Sequence, residues 1–311
     1  MSDFVILVDA GSDLKEELQK QYNIEMINGH IVQPDGKEIP SVLNWEKFTR
    51  EEFYTALKKN PNGYATSPAN AQEFEEVFEG FAKEGRDILS ISLSSGISGT
   101  YNFSLQAKKA VAARYPSVKI VCIDSLRFGP GFGLMAVYAS KLRSEGKTID
   151  EVAEFIENNK NRFHQMGWLD DLSFVAKKGR ITHPKAFFGT LAGIKPIGEF
   201  DYNGLTTVIG KVKGEKAAYA AQLAYIEATI ENPSEQIIFI AQTNRLAQAE
   251  EYAKMLEEKF HPAQILINDV YPFCGINIGP GLMAAYYMGK PISADLAEEK
   301  ELIKNQIAAL K

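Results

Sequence analysis

The sequence predicts an α/β fold in two domains, an N-terminal Rossmann-like parallel sheet followed by a C-terminal mixed α+β domain. Apolar strands alternate with helical patterns in the first half, and this pattern changes near residue 160. The length of 311 residues also exceeds what one hydrophobic core usually organises. We place the domains at residues 1–160 and 161–311, with room for an early segment to pack with the second domain.

The first half alternates short apolar strands with helices. Near-continuous hydrophobicity is typical of parallel strands that are covered on both faces. Helical spacing follows most of these strands, and a glycine- and proline-containing segment opens the helix that begins near residue 129. The predicted strands are Phe4–Val8, Ile24–Ile27, His30–Val32, Ile88–Leu93 and Val118–Ile123, and the predicted helices are Leu14–Tyr22, Trp45–Lys58, Ala71–Lys83, Asn102–Arg114, 129–144 and Asp150–Arg162.

The second half combines a hairpin with strand–helix units. Asn203-Gly204 lies between two extended segments, which is a strong signal for a tight hairpin turn. The predicted strands are His164–Leu169, Ile194–Phe200, Leu205–Lys213, Gln236–Ala241 and Gln264–Val270, and the predicted helices are Glu215–Glu231, Leu246–Phe260 and Glu298–Lys311. This order favours a mixed α+β domain.

Charge and composition exclude several classes of protein. The net charge of −6 argues against nucleic acid as a partner, so an anionic ligand must be held by local donors. No stretch reaches the roughly eighteen apolar residues of a membrane span, and no basic leader precedes the first strand. We therefore expect a cytoplasmic protein. Its two cysteines, Cys122 and Cys274, are far apart, which predicts free thiols.

The most informative stretch is Ser94-Ser95-Gly96-Ile97-Ser98-Gly99-Thr100-Tyr101. It joins an apolar strand to a helix, so we expect unpaired backbone N–H groups and the positive end of the helix dipole to face a ligand. Its hydroxyls add donors, and its glycines let the backbone approach closely. These features predict a carboxylate or phosphate site. The alternative is a Ser/Thr-rich helix cap that binds nothing.

Polar loops also follow the other predicted strands. These loops are Asp9–Asp13, Tyr64–Pro68 and Asp124-Ser125, and they contribute the hydroxyls of Ser12, Thr66 and Ser67. Ligands bind beyond the carboxyl ends of open parallel sheets, so we expect the loops to meet at one rim. Local capping is the alternative for each loop.

Catalytic and cofactor motifs are not found. The serine stretch lacks the leading glycine of a nucleophile elbow, and the four histidines have no metal-ligand spacing. The sequence predicts a glycine-rich loop at 275–281, which does not match a phosphate-binding pattern. Lys177–Thr182 forms a basic turn, and the alternative for it is a helix C-terminus that ends at Gly179. We predict no cofactor and no metal site. The alternative functions are a serine hydrolase that uses Ser95, a phosphoryl transferase, and an anion-binding regulatory module.

Taken in chain order, these motifs resemble the DegV-like family of bacterial fatty-acid-binding proteins. The matching segments are Asp9–Leu14, Thr66-Ser67, Ser94–Tyr101, Ile123–Ser125, Lys178–Ile181, Lys195-Pro196 and Gly279–Gly281. The resemblance covers nearly the whole chain and implies a lipid-binding protein, not an enzyme, that buries one long-chain fatty acid between its two domains. It also implies delivery to a dihydroxyacetone-kinase-like fatty acid kinase, which phosphorylates the presented carboxylate to an acyl phosphate.

The same resemblance assigns residues to the ligand. Thr66 and Ser95 match hydroxyls at the carboxylate, Ser67 and Ser94 flank them, and Arg180 matches a basic residue near the headgroup. Asn277 stands where the family commonly has histidine, and an amide can donate a hydrogen bond but cannot shuttle a proton. We also expect apolar side chains to line an acyl tunnel, with ordinary core packing as the alternative for each: Phe187, Phe188, Leu191, Phe273, Ile276 and Ile278.

Overall fold

The apolar segments of the sequence form strands and helices close to where their patterns predict them. The computed structural model of the chain describes residues 4–183 and 193–309. The strands are β1 (Val5–Asp9), β2 (Glu25–Ile27), β3 (His30–Val32), β4 (Glu38–Pro40), β5 (Ala65–Ser67), β6 (Ile88–Ser92), β7 (Ile120–Asp124), β8 (Phe163–Trp168), β9 (Ile194–Phe200), β10 (Thr206–Lys213), β11 (Ile237–Gln242), β12 (Gln264–Asp269) and β13 (Met283–Met288).

The helices are α1 (Glu16–Tyr22), α2 (Arg50–Lys59), α3 (Ala71–Lys83), α4 (Thr100–Arg114), α5 (Pro130–Ser144), α6 (Ile149–Asn159), α7 (Ser173–Lys177), α8 (Glu215–Thr229), α9 (Leu246–Phe260), α10 (Pro272–Ile278) and α11 (Ala297–Ala309). Together with the strands they confirm the predicted α/β class. The described chain divides into two units. The first contains residues 4–44, 63–160 and 271–273, and the second contains residues 45–62, 161–183, 193–270 and 274–309.

The first unit is built on a parallel sheet of order β2-β1-β6-β7. Helices α3 and α4 pack on one face of the sheet, where Phe74, Phe78 and Val111 meet Leu7 and Ile88 in a buried cluster. Helices α5 and α6 also pack against these strands. A smaller antiparallel sheet, β4-β3-β5, completes the unit. Because β1, β6 and β7 are parallel neighbours, the loops that follow them lie at one edge.

The second unit contains a six-stranded sheet of order β10-β9-β8-β13-β11-β12. Its neighbouring strands are antiparallel except for β11 and β12, so the sheet is mixed, in agreement with the predicted α+β character of this half. The predicted hairpin joins β9 and β10, and Gly204 has the positive φ of 71° that its turn needs. Helix α2 belongs to this unit, where Arg50 pairs with Asp269 at 2.5 Å.

Two features of the second unit differ from the sequence prediction. The glycine-rich segment expected as a loop is helical as far as Ile278, and its glycines beyond α10 form a turn. The segment Met283–Met288 was not predicted as a strand, yet β13 lies in the middle of the sheet between β8 and β11. Its side chains are almost all buried, so it lacks the alternation that marks a half-exposed strand.

Candidate functional site

The carboxyl ends of β1, β6 and β7 form a polar rim in the first unit. Asp9 ends β1 and is almost completely buried. Its Oδ1 accepts a hydrogen bond from the Gly11 N–H, and its Oδ2 accepts one from the Leu93 N–H, both at 2.8 Å. Asp9 therefore ties the end of β1 to the segment that follows β6.

Burial of the Asp9 carboxyl has an electrostatic consequence. Loss of solvation raises its pKa from 3.8 to about 6, and the backbone hydrogen bonds from Leu93 and Gly11 oppose this rise without cancelling it. The rim thus contains a carboxyl group that titrates near neutral pH.

Asp124 holds the same segment from the other side. It ends β7, and its Oδ1 accepts hydrogen bonds from the N–H groups of Ser95 at 3.0 Å and Leu126 at 3.1 Å. Residues Ser94–Tyr101, which we call the serine segment, are therefore held by two aspartates that end the strands on either side of β6. Both aspartates lie in polar loops that the sequence predicts at this edge of the sheet, but no local pattern indicates that they position the serines.

The backbone of the serine segment is arranged differently from what we expected. The N–H groups of residues 93–98 are all bonded within the chain, to Asp9, Asp124, the Arg127 carbonyl, and the carbonyl or hydroxyl oxygen of Ser94. The expectation that backbone N–H groups face a ligand unpaired is therefore wrong for residues 93–98, because the aspartates and the turn itself use them. At residues 93–98 the donors for a ligand must come from side chains, whereas the N–H groups of Tyr101 and Asn102 in the first turn of α4 have no acceptor among the described residues.

The two central serines have different environments. Ser94 is completely buried, and its Oγ accepts a hydrogen bond from the Gly96 N–H at 3.1 Å. Ser95 is exposed, and its Oγ forms no hydrogen bond within the described part of the chain, to histidine or to any other group. Ser95 therefore offers a donor to a ligand, whereas Ser94 shapes the turn.

Thr66 and Ser67 lie on β5, in the small antiparallel sheet. Thr66 pairs with Ile31 and Ser67 with His30, so the two hydroxyl side chains point to opposite faces of the strand. Ser67 lines an open groove of about 500 Å³ together with His30, Glu38 and Glu73.

This groove does not suit an anion. His30 Nε2 lies 2.8 Å from Glu73 Oε1, and Ser67 Oγ donates to Glu38 Oε1 at 3.3 Å. Two carboxylates would repel a third, and the Ser67 hydroxyl already has an acceptor. A carboxylate ligand is better served on the Thr66 face of β5.

In the second unit, Arg180 follows the short helix α7. Gly179 has a φ of +71°, and the N–H groups of Gly179 and Arg180 bond back to the carbonyls of Ala176 and Val175, both at 3.1 Å. This is the glycine-terminated helix end that the sequence indicates. The Arg180 side chain is exposed beyond it, next to Lys178, whose pKa is lowered first by burial and then by the Arg180 charge.

Asn277 lies near the end of α10, just before the turn at Gly279 and Gly281. It is half-buried. Phe174 of α7 packs directly on Gly279, so the structure brings the segment that carries Asn277 against the segment that leads to Arg180. Both predicted headgroup residues of the second unit therefore stand on segments that touch.

The predicted tunnel residues are buried where the structure describes them. Phe273, in the first unit, packs against Gly29, and Ile276 and Ile278 are buried in the second unit. Burial is common to core packing and to tunnel lining, so their role stays a prediction. Phe187, Phe188 and Leu191 lie outside the described residues.

Two further properties bear on function. Among residues 4–183 and 193–309, no three His, Cys, Asp or Glu side chains come together as a metal-binding group. No helix in the same part of the chain has the length and hydropathy that a membrane span requires.

Comparison with known proteins shows extensive similarity. The model of a family described as an uncharacterised protein, DegV family, matches residues 3–290. A DegV domain-containing protein of Clostridium perfringens (strain 13 / Type A) is 34% identical over 289 residues, which cover 93% of this chain and 98% of that protein.

Solved structures share the fold. A DegV lipid-binding protein from Thermotoga maritima matches with a TM-score of 0.81 at 23% identity, over 92% of this chain and 98% of that one. A stearic-acid-binding protein from Eubacterium ventriosum matches with a TM-score of 0.79 at 18% identity, also over 92% of this chain and 98% of that one.

Proposed function

We propose a function for this chain from one premise, that it belongs to the DegV family. The chain binds a long-chain fatty acid and holds its carboxylate at the rim formed by the serine segment. It acts as a carrier and leaves the chemistry to a partner. The observation that carries this proposal is the fold, which the chain shares over nearly its whole length with proteins described as lipid-binding or stearic-acid-binding.

The rim chemistry supports a carboxylate held by neutral donors. The exposed Ser95 hydroxyl has no acceptor in the described chain, and Thr66 lies on the face of β5 away from the acidic groove. We assign these two hydroxyls to the carboxylate, with Ser67 and Ser94 shaping their segments and Arg180 and Asn277 serving the headgroup from the second unit. A buried carboxylate without such donors would cost several kcal/mol.

The acyl chain supplies most of the binding free energy. Burying each methylene is worth about 0.8 kcal/mol, so a long chain provides on the order of 10 kcal/mol before the cost of association. The headgroup donors therefore have to satisfy the carboxylate rather than drive binding. This division suits a carrier, which must hold many methylenes and still present a reactive carboxylate.

The partner we propose is a dihydroxyacetone-kinase-like fatty acid kinase. It transfers the γ-phosphoryl group of ATP to a carboxylate oxygen, which gives an acyl phosphate and ADP. An ionised carboxylate has no proton to lose before this attack, so Asn277 can serve by donating a hydrogen bond. Incubation of the loaded chain with such a kinase and ATP should yield an acyl hydroxamate when hydroxylamine is added.

Protein purified from bacteria is expected to carry fatty acid. Organic extraction followed by mass spectrometry should detect a long-chain acid at close to one molecule per chain, and delipidated protein should take up added stearic acid. Absence of both extracted lipid and uptake would overturn the proposed function.

Ser95→Ala is expected to weaken stearic acid binding about tenfold, because one hydrogen bond to a charged carboxylate is lost. The melting temperature should stay unchanged, since the Ser95 hydroxyl is exposed and has no partner in the described chain. Ser117→Ala is the matched control, as Ser117 is an exposed serine of the same unit. Equal affinities of the Ser95→Ala and Ser117→Ala variants for stearic acid would show that the carboxylate does not bind at Ser95.

A further inference from the structure

Four charged side chains of the second unit close into a ring over Trp168. Lys195 Nζ and Arg245 Cζ lie 5.1 and 4.8 Å from the centroid of the indole ring. Asp170 pairs with both cations through separate oxygens, and Glu215 Oε1 lies 2.9 Å from Arg245 Nη1 and 3.7 Å from Lys195 Nζ. We call Lys195, Asp170, Arg245 and Glu215 the ion-pair ring.

The ring differs from an ordinary surface ion pair in its burial. The two cations are only 12% and 10% exposed, whereas the carboxylates of Asp170 and Glu215 are 39% and 42% exposed. Each cation is desolvated against the indole and compensated by two carboxylates. Such a network fixes its members more firmly than an exposed pair, which usually contributes little.

One member of the ring contacts the glycine turn beyond α10. Gly281 has a φ of +97°, and a Cβ placed there would lie 2.6 Å from Asp170 Oδ2. Four residues after Asp170, the ring of Phe174 occupies the space where a Cβ of Gly279 would be. Asp170 and Phe174 therefore contact the turn at Gly281 and Gly279, respectively.

Both ends of this contact lead to predicted headgroup residues. The segment Asp170–Phe174 leads through α7 to Arg180, and the glycine turn follows α10, which contains Asn277. The turn is also tied to the end of β11, since Leu282 N–H donates to Thr243 Oγ1 at 2.7 Å. Movement of Asp170 would thus shift the Arg180 segment relative to Asn277.

We infer that the ion-pair ring is a positioning device that sets Arg180 and Asn277 for an ionised lipid headgroup. The inference rests on the proposed function, because it assigns those two residues to the carboxylate. If the inference holds, the ion-pair ring affects the part of the fatty acid affinity that comes from the carboxylate and does not affect the part that comes from the acyl chain.

The test compares stearic acid with stearyl alcohol, which has the same acyl chain and no charge. Lys195→Met removes one cation of the ring and keeps its apolar stem. We expect it to weaken binding of stearic acid about tenfold and to change binding of the alcohol less than about twofold. Lys195→Arg restores a cation and should restore binding of the acid.

Lys259→Met is the matched control. Lys259 Nζ lies 2.7 Å from Glu227 and 5.8 Å from the centroid of the Phe260 ring, so it repeats the cation, carboxylate and aromatic ring outside the ion-pair ring. This variant should bind both lipids like wild type.

A second variant covers the case in which Lys195→Met does not fold. Glu215→Gln weakens the ion-pair ring at its most exposed member and should show the same selective loss of stearic acid binding.

The outcomes are distinct. Equal losses for the acid and the alcohol, or unchanged acid binding in a folded Lys195→Met or Glu215→Gln variant, would overturn the positioning role. Failure of the wild-type chain to bind stearic acid would overturn the proposed function and this inference with it.

Discussion

Glu199→Ala is expected to lower the free energy of unfolding of the second unit by about 3–5 kcal/mol, because it removes the shared partner of several buried hydrogen-bonding groups. Glu199 and His164 are 0% and 1% exposed, and Glu199 Oε2 lies 3.0 Å from His164 Nδ1. His164 Nε2 lies 2.8 Å from the Lys290 carbonyl oxygen. His164 therefore links Glu199 to the Lys290 backbone, and both of its ring nitrogens have a partner.

The carboxylate also satisfies neighbouring donors. Glu199 Oε1 accepts hydrogen bonds from the Gln165 and Phe200 N–H groups at 2.7 and 2.8 Å, and Oε2 accepts one from the Tyr225 hydroxyl at 3.3 Å. The carboxyl group is therefore the common partner of four buried polar groups. Alanine would remove this shared partner, and each group that loses a hydrogen bond in the buried interior adds a desolvation cost.

Urea unfolding followed by tryptophan fluorescence measures this effect, since Trp45 and Trp168 both belong to the second unit. Glu231→Ala is the control. Glu231 pairs with Arg162 in the same unit, but the two side chains are 40% and 32% exposed, so we expect a loss of about 1 kcal/mol or less. A loss for Glu199→Ala no larger than that of the control would contradict the central role of Glu199 in this buried network.

The strands of the parallel sheet could be predicted because burial on both faces requires a nearly continuous run of apolar residues. Strands β1 and β6 are covered on both faces, so every residue in them is buried and their predicted ranges shift by only one residue. Strand β13 is also buried but follows a glycine-rich segment. Neither alternation nor strand-forming β-branched residues mark its sequence, Met-Ala-Ala-Tyr-Tyr-Met, so local pattern could not identify it.

The candidate site was predictable in its residue types but not in its partners. Hydroxyls that follow a strand can be read locally, and Ser95 was found in that way. The bonds from Leu93 to Asp9 and from Ser95 to Asp124 join residues 84 and 29 positions apart. They exist because β1 and β7 flank β6, and strand order is not encoded in spacing. For the same reason the sequence could not reveal the ion-pair ring, whose members come from four different segments.

Asp9 is expected to make the stability of the first unit fall as pH rises from 4 to 7. Its pKa is about 6 in the folded chain, against an unperturbed 3.8. The folded state therefore binds this proton more tightly than the unfolded state does. The resulting stabilisation is complete below pH 3.8 and is lost as pH rises through 6, by a total of about 3 kcal/mol.

Asp9→Asn isolates this contribution, since the amide does not ionise. The difference in unfolding free energy between wild type and Asp9→Asn, followed by far-UV circular dichroism in urea, should change by about 2.5 kcal/mol in favour of the variant between pH 4 and 7, because the unfolded carboxyl is already partly ionised at pH 4. The contributions of the other titrating groups to the unfolding free energy are the same in both proteins and cancel in this difference. A difference that is independent of pH would contradict a raised Asp9 pKa.

The same titration should be visible in the serine segment itself. Asp9 Oδ2 accepts from Leu93 N–H and Oδ1 from Gly11 N–H, so protonation of the carboxyl weakens one or both hydrogen bonds. We expect the amide resonances of Leu93 and Gly11 to shift with a common midpoint near pH 6. In Asp9→Asn both shifts should disappear. Because Leu93 immediately precedes Ser94 and Ser95, the pH dependence of stearic acid affinity should contain a transition with the same midpoint in wild type that is absent from the variant. If the Leu93 amide resonance shifts with this midpoint but the affinity for stearic acid does not, the hydrogen bond between Asp9 and Leu93 does not influence ligand binding.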